Sequence, residues 1–163
     1  MAAHCDPLSL SLPDEAATRQ LGRALQELLR AGDTVLLEGD IGAGKTSLAR
    51  ALIEAGLLQP EDIPSPTFTL VQTYNTAHGE IWHCDLYRLT DPDELFELGL
   101  DMAMEEAICL IEWPDRMGDA RPENALTLSL VAKDRGRTAI LVGDESWQPR
   151  LQKMVAELAG AHV

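Results

Sequence analysis

Gly39-Asp40-Ile41-Gly42-Ala43-Gly44-Lys45-Thr46 decides the fold, because the hydrophobic period of the chain changes on either side of it. The octet fits G-x-x-x-x-G-K-[ST], the phosphate-binding loop of nucleoside triphosphatases. Glycines let the backbone curl until successive N–H groups converge on phosphates. Lys45 then reaches the β and γ oxygens, and Thr46 offers a hydroxyl to Mg²⁺. Before the loop, Thr34-Val35-Leu36-Leu37 is a short apolar run that reads as a buried strand. After it, Leu48, Leu52 and Ile53 recur at helical spacing, with Gly56 as the stop. A helix that starts at the loop aims the positive end of its dipole at the phosphate. Asp40, Ile41, Gly42, Ala43, Gly44, Lys45, Thr46 and Ser47 are therefore the expected nucleotide contacts.

Outward from the loop, Leu8-Ser9-Leu10-Ser11-Leu12 alternates as a strand. A helix follows from Pro13 or Asp14, with Ala17, Leu21, Ala24, Leu25 and Leu28 on one face and a stop at Ala31-Gly32-Asp33. Residues 59–66 hold three prolines and exclude a regular helix. Strands are predicted over Thr67 to Tyr74 and Glu80 to Leu89, joined by a turn at Asn75 to Gly79. Asp91 is the expected N-cap of another helix, with Pro92 at its first position. Ala107 to Ile111 is a compact strand that ends at Glu112. Leu126 to Val131 and Thr138 to Val142 form a C-terminal hairpin across Asp134-Arg135-Gly136, before a last helix over 149–158. The expected fold is α/β, a three-layer sandwich like that of P-loop NTPases. Its sheet is mainly parallel with antiparallel additions, in one domain spanning 1–163.

Composition limits the function. With 163 residues, 45% hydrophobic and 25% charged, the chain has the make-up of a soluble globular protein. No apolar run nears the ~20 residues of a membrane span, and no signal peptide is visible. Cys5, Cys84 and Cys109 are odd in number and lack framework spacing, which favours a reducing cytoplasm. The net charge of −14, without any Lys/Arg cluster, argues against a direct grip on nucleic acid. A role in nucleic-acid metabolism would run through a partner protein.

The remaining chemistry is sparser. A triphosphatase needs a second acidic group beside the metal, and Ile108-Cys109-Leu110-Ile111-Glu112 offers one at a strand end. His83-Cys84-Asp85 is a poor zinc pattern, so His83 reads as a satisfied buried histidine. Asp85 could orient water near a γ-phosphate. Ser65-Pro66-Thr67 lies where P-loop proteins sense that phosphate, although the residues by themselves favour a plain Ser/Thr turn before a strand. Trp113 reads as core packing compatible with a place near the nucleotide. Asn/Thr-Lys-x-Asp, the guanine signature, is absent at Ala132-Lys133-Asp134, which favours adenine.

In order along the chain stand Ala17-Thr18…Leu21-Gly22, the octet at Gly39 to Thr46, and Ser-Pro-Thr-Phe-Thr-Leu at Ser65 to Leu70. His-Cys-Asp-Leu-Tyr-Arg-Leu at His83 to Leu89, Glu94…Leu98-Gly99 and Ile-Glu-Trp-Pro at Ile111 to Pro114 complete the series. Together they resemble the TsaE (YjeE) family, the bacterial P-loop ATPases of tRNA threonylcarbamoyladenosine synthesis. The resemblance implies a slow, Mg²⁺-dependent ATPase that assists a TsaD–TsaB pair on tRNAs decoding ANN codons, without performing the transfer itself. It implies Lys45 as the phosphate lysine, Thr46 and Glu112 as metal-side groups, and Asp85 as a carboxylate required for turnover. Ser65 and Thr67 match the nucleotide-responsive segment, and Trp113 a tryptophan near the nucleotide. Pro64 and Cys84 depart slightly from the pattern. Arg135 or Arg137 could approach the adenine or the phosphates. A small-molecule kinase is the alternative, disfavoured by the lack of a dense arginine lid among Arg116, Arg121, Arg135 and Arg137. A nucleotide-binding scaffold without turnover is a third possibility.

Overall fold

The computed structural model describes residues 6–40, 42–66 and 69–160. Its elements are β1 (Leu8–Leu12), α1 (Glu15–Leu28), β2 (Thr34–Glu38), α2 (Lys45–Gly56), β3 (Val71–Thr76) and β4 (Gly79–Asp85). They continue with α3 (Glu94–Glu97), α4 (Leu100–Glu106), β5 (Ile108–Glu112), β6 (Leu126–Ala132), β7 (Arg137–Val142) and α5 (Gln148–Gly160). Turns of 3-10 helix over Pro114–Ala120 join β5 to β6. One seven-stranded sheet runs β1-β7-β6-β2-β5-β4-β3. Strands β6, β2, β5 and β4 are mutually parallel, while β1, β7 and β3 add antiparallel edges.

Both faces of the sheet are covered, and strand alternation sorts the side chains between them. Val35, Leu37, Ile81, Ile108 and Leu110 pack beneath α1, α2 and α5 with Leu21, Leu25, Leu48 and Leu52. Leu36, Cys84, Cys109 and Ile111 face Leu95, Leu100, Ala103 and Met117 on the other side. This explains why β2 and β5 read as continuous apolar runs: a parallel strand covered on both faces has no polar side. The same alternation brings His83, Asp85 and Glu112 onto the α2 face at the carboxyl ends of their strands. That is where open parallel sheets bind ligands.

Helix α1 starts at Glu15, just after the expected Pro13 or Asp14, and Asp14 is its N-cap, with the carboxylate accepting the Ala17 N–H at 2.8 Å. It crosses α2 at Gly22, where a Cβ would stand 2.8 Å from both the Ala51 Cβ and the Leu52 nitrogen. The buried Gln26 side chain donates to Leu52 O at 3.1 Å and locks the same crossing. Because the obstacle includes backbone, Gly22→Val must push the helices apart. We expect a loss of about 1–3 kcal/mol, read as a lower midpoint in thermal or urea unfolding.

Several boundaries differ from the sequence expectation. Strand β3 begins at Val71 rather than Thr67. Leu70 adopts a left-handed conformation (φ 68) that takes the preceding chain out of the ladder, and Thr67 lies outside the described residues. Strand β4 stops at Asp85, four residues before Leu89. The Asp85 carboxylate accepts the Tyr87 N–H at 3.0 Å, and the Leu86 N–H turns to Glu112 O at 3.1 Å. The β3–β4 ladder extends through Thr76 and Gly79 and leaves only Ala77-His78 as the turn. Asp91 caps a turn rather than a helix: its carboxylate takes the Asp93 N–H at 3.0 Å, and α3 starts only at Glu94. Gly99 (φ 79) then separates α3 from α4. Among the described residues no helix is long and apolar enough to cross a membrane.

Candidate nucleotide-phosphate site

The loop leaves β2 at Gly39 and turns into α2 at Gly44, whose φ of 101 admits glycine readily and a side chain only under strain. The twelve residues of α2 then direct their first free N–H groups toward a cavity of about 400 Å³. Asp40, Gly42, Gly44, Lys45, Thr46 and Ser47 line it from the loop side. Asp85, Glu112 and Trp113 line it from the strand ends. These nine of the expected residues thus share one cavity. Ala43 does not: it is 3% exposed and packs under the loop in the core. Ser65 is exposed and absent from the lining. Ile41 and Thr67 lie outside the described residues.

Lys45 is held on three sides. Its ammonium donates to Gly39 O and to Asp40 O, the latter at 3.2 Å, and lies 3.8 Å above the Trp113 ring centre. Burial lowers its pKa from the usual lysine range, against the opposing pull of Glu112, Asp85, Asp40 and Asp115. Thr46 donates its hydroxyl to Glu112 at 2.9 Å to Oε1 and 3.2 Å to Oε2. Glu112 Oε2 also lies 2.7 Å from His83 Nε2, both groups being buried. The imidazole thereby orients the carboxylate, as an outer partner orients a metal ligand. His83 is satisfied on that nitrogen, as expected; its Nδ1 has no hydrogen-bond partner among the described residues. Asp85 stands beside Glu112 in the β4–β5 register.

Trp113 carries visible backbone strain. It is left-handed at φ 60, and that conformation throws its ring over Lys45 as the chain leaves β5. Tyr87 packs against it with ring centres 5.0 Å apart at 52°. Tyr87 and Arg137 also line the cavity. Arg137 is one of the two hairpin arginines expected near the nucleotide, whereas Tyr87 is not among the expected site residues. Tyr87 belongs to the His83-to-Leu89 motif, the one signal that could have found it. Arg135 is exposed and outside the lining, so of the two hairpin arginines only Arg137 reaches the cavity.

Hard oxygen donors and a lysine around a helix N-terminus suit a polyphosphate with a divalent cation. Among the described residues no group of three or more His, Cys, Asp or Glu side chains is arranged to hold a metal by itself. A cation here would depend on Thr46, Glu112 and ligand oxygens, the mode typical of Mg²⁺ with nucleotides. Nearby, Cys109 and Cys84 are inert. Desolvation by burial raises the Cys109 pKa from 9.0 to about 12, with the Glu80 charge adding to it. Cys84 moves well above 9.0 for the same first reason. A thiol that keeps its proton longer when folded stabilises the fold fully below the unfolded pKa, and that contribution disappears as pH rises through the folded one. Stability should therefore fall between about pH 9 and 12, as read by urea midpoints. Native protein at pH 8 should leave both thiols unreacted with a disulfide reagent.

Comparison with known proteins adds an independent line. The sequence model of the family described as "Threonylcarbamoyl adenosine biosynthesis protein TsaE" matches residues 12–139. The Rickettsia bellii protein named tRNA threonylcarbamoyladenosine biosynthesis protein TsaE is 40% identical over 123 residues, covering 76% of this chain and 85% of its own. Its namesake from Haemophilus influenzae is 37% identical over 143 residues, covering 84% and 90%. That from Nostoc sp. is 42% identical over 130 residues, covering 77% and 78%. The crystal structure of Bacillus subtilus YdiB superposes with a TM-score of 0.74 at 23% identity, covering 93% of this chain and 96% of that one, which shows the shared fold.

Proposed function

We propose, from the premise that this chain belongs to the TsaE family of tRNA threonylcarbamoyladenosine biosynthesis proteins, that it is an ATP-hydrolysing accessory protein of that modification. It would act with TsaD–TsaB-like proteins on tRNAs that decode ANN codons, and touch tRNA only through them. The net charge of −14 without a basic cluster agrees with indirect contact. The observation that carries the reading is the Thr46–Glu112–His83 chain of contacts beside Lys45, at the mouth of the phosphate loop.

In this reading the loop N–H groups and Lys45 hold the β and γ oxygens. Thr46 and Glu112 would hold Mg²⁺, which when bound neutralises phosphate charge. His83 keeps Glu112 turned toward Thr46. Asp85 orients the attacking water and is itself fixed through the Tyr87 N–H. Trp113 and Tyr87 form one wall and limit water access to Lys45. Ser65, outside the described cavity lining, would respond to the γ-phosphate together with Thr67.

The test is to follow the label of γ-labelled ATP with Mg²⁺ present. It should appear as free phosphate, slowly from the protein alone and faster with the partner pair, and GTP should compete poorly. Label in a phosphorylated metabolite would instead indicate a kinase.

A further inference from the structure

On the sheet face opposite α2, the turn into α3 and the 3-10 turns after β5 border a groove of about 430 Å³. Pro92, Asp93 and Phe96 line it from one side, Met117, Asp119 and Ala120 from the other. It shares no lining residue with the phosphate cavity. Met117 is buried, but Phe96 is 58% exposed. Met102 on α4, the next large apolar side chain exposed along the chain, is 61% exposed. Apolar side chains left in water beside a polar-rimmed groove mark a docking surface.

Charge selects the occupant. Residues 91–106, which carry α3 and α4, hold seven carboxylates and no Lys or Arg. Asp93 and Asp119 line the groove itself, while Glu97 and Asp101, sequence neighbours of Phe96 and Met102, are exposed. A nucleic-acid backbone or a second copy of this face would set like charge against like. A protein surface that offers Lys or Arg around an apolar side chain complements it. The groove also adjoins the segment that leads to the nucleotide site. Its Met117 and Ala120 belong to the turns over Pro114–Ala120, which start directly after Trp113, and the Trp113 ring lies 3.8 Å from the Lys45 ammonium. We propose that the partner pair docks a basic surface with an apolar centre in this groove, and bears on the Trp113 wall through the connecting turns. The proposal rests on the accessory-ATPase reading above and adds the face that the pair occupies.

The experiment is calorimetric titration of the full chain with a purified TsaB–TsaD pair, alongside phosphate release with and without that pair. Wild-type affinity should fall as salt rises from about 0.05 to about 0.3 M. Phe96→Ser and Glu97→Lys should each weaken the pair about tenfold or more, the size of losing one central anchor or opposing one complementary charge. Stimulated release should fall with affinity at a fixed pair concentration. Release from the chain alone should stay at the wild-type rate, which damage to the fold would not allow. Glu157→Lys makes the same charge change on α5, across the sheet, and should shift pair affinity by no more than about twofold. If Glu157→Lys weakens the pair as much as Glu97→Lys, overall charge rather than the groove governs binding, and the inference fails. Affinity that ignores salt, or that Phe96→Ser and Glu97→Lys leave unchanged, would also overturn the inference while the ATPase reading stands. If the wild-type chain neither binds the pair nor is stimulated by it, both fall.

Discussion

Lys45→Ala should weaken ATP binding about a hundredfold or more and remove phosphate release with it. Losing a charged hydrogen bond at a polar site costs about 1.5–3 kcal/mol. Here the loss also leaves Glu112, Asp85 and Asp40 lining the cavity, with Asp115 nearby, without the ammonium that offsets them. Like charges would then oppose the polyphosphate directly. The fold itself should survive. Burial disfavours the Lys45 ammonium, so removing it relieves a desolvation cost while giving up its contacts with Gly39 O, Asp40 O and the Trp113 ring. Calorimetric titration with ATP·Mg²⁺ checks the affinity, and circular dichroism checks the fold.

The second large effect separates binding from turnover. Glu112→Gln keeps side-chain volume and an acceptor oxygen for Thr46, but removes the charge between Thr46 and His83. ATP affinity should change by no more than about threefold, while phosphate release falls roughly 10²–10³-fold, the size of losing one well-placed electrostatic group. Asp85→Asn should behave alike, through the group that orients water. Rapid-quench measurement of phosphate with ATP prebound reads both. A scaffold without turnover would show no difference between these variants and the wild type.

What could be read from the sequence was whatever short-range pattern determines. The β2–loop–α2 unit is legible because an apolar run, a glycine-rich octet and a helical period adjoin each other, and the structure places them as read. Glu112 was legible for a similar reason: five buried residues end in a carboxylate. The start of α1 near Asp14 and the β6–β7 hairpin follow from local signals as well. The misplaced boundaries have a different origin. Leu70 is left-handed, and its carbonyl accepts the Asp85 N–H at 2.9 Å, a tertiary contact that no β-propensity at Thr69 or Leu70 reports. Asp91 and Pro92 carry helix-start chemistry, yet the Asp91 carboxylate spends itself on a two-residue turn. Arg137 and Tyr87 reach the cavity through strand register and a ring contact, which depend on residues far away in sequence. Ser65 illustrates the converse, since its motif matches while its position lies outside the cavity lining.

The most direct test of the account is phosphate release from ATP·Mg²⁺ by the purified chain, with and without a purified TsaB–TsaD pair. A slow release that the pair accelerates, and that Lys45→Ala abolishes in both conditions, is the predicted result. Release that Lys45→Ala leaves unchanged, or none in either condition, would contradict it.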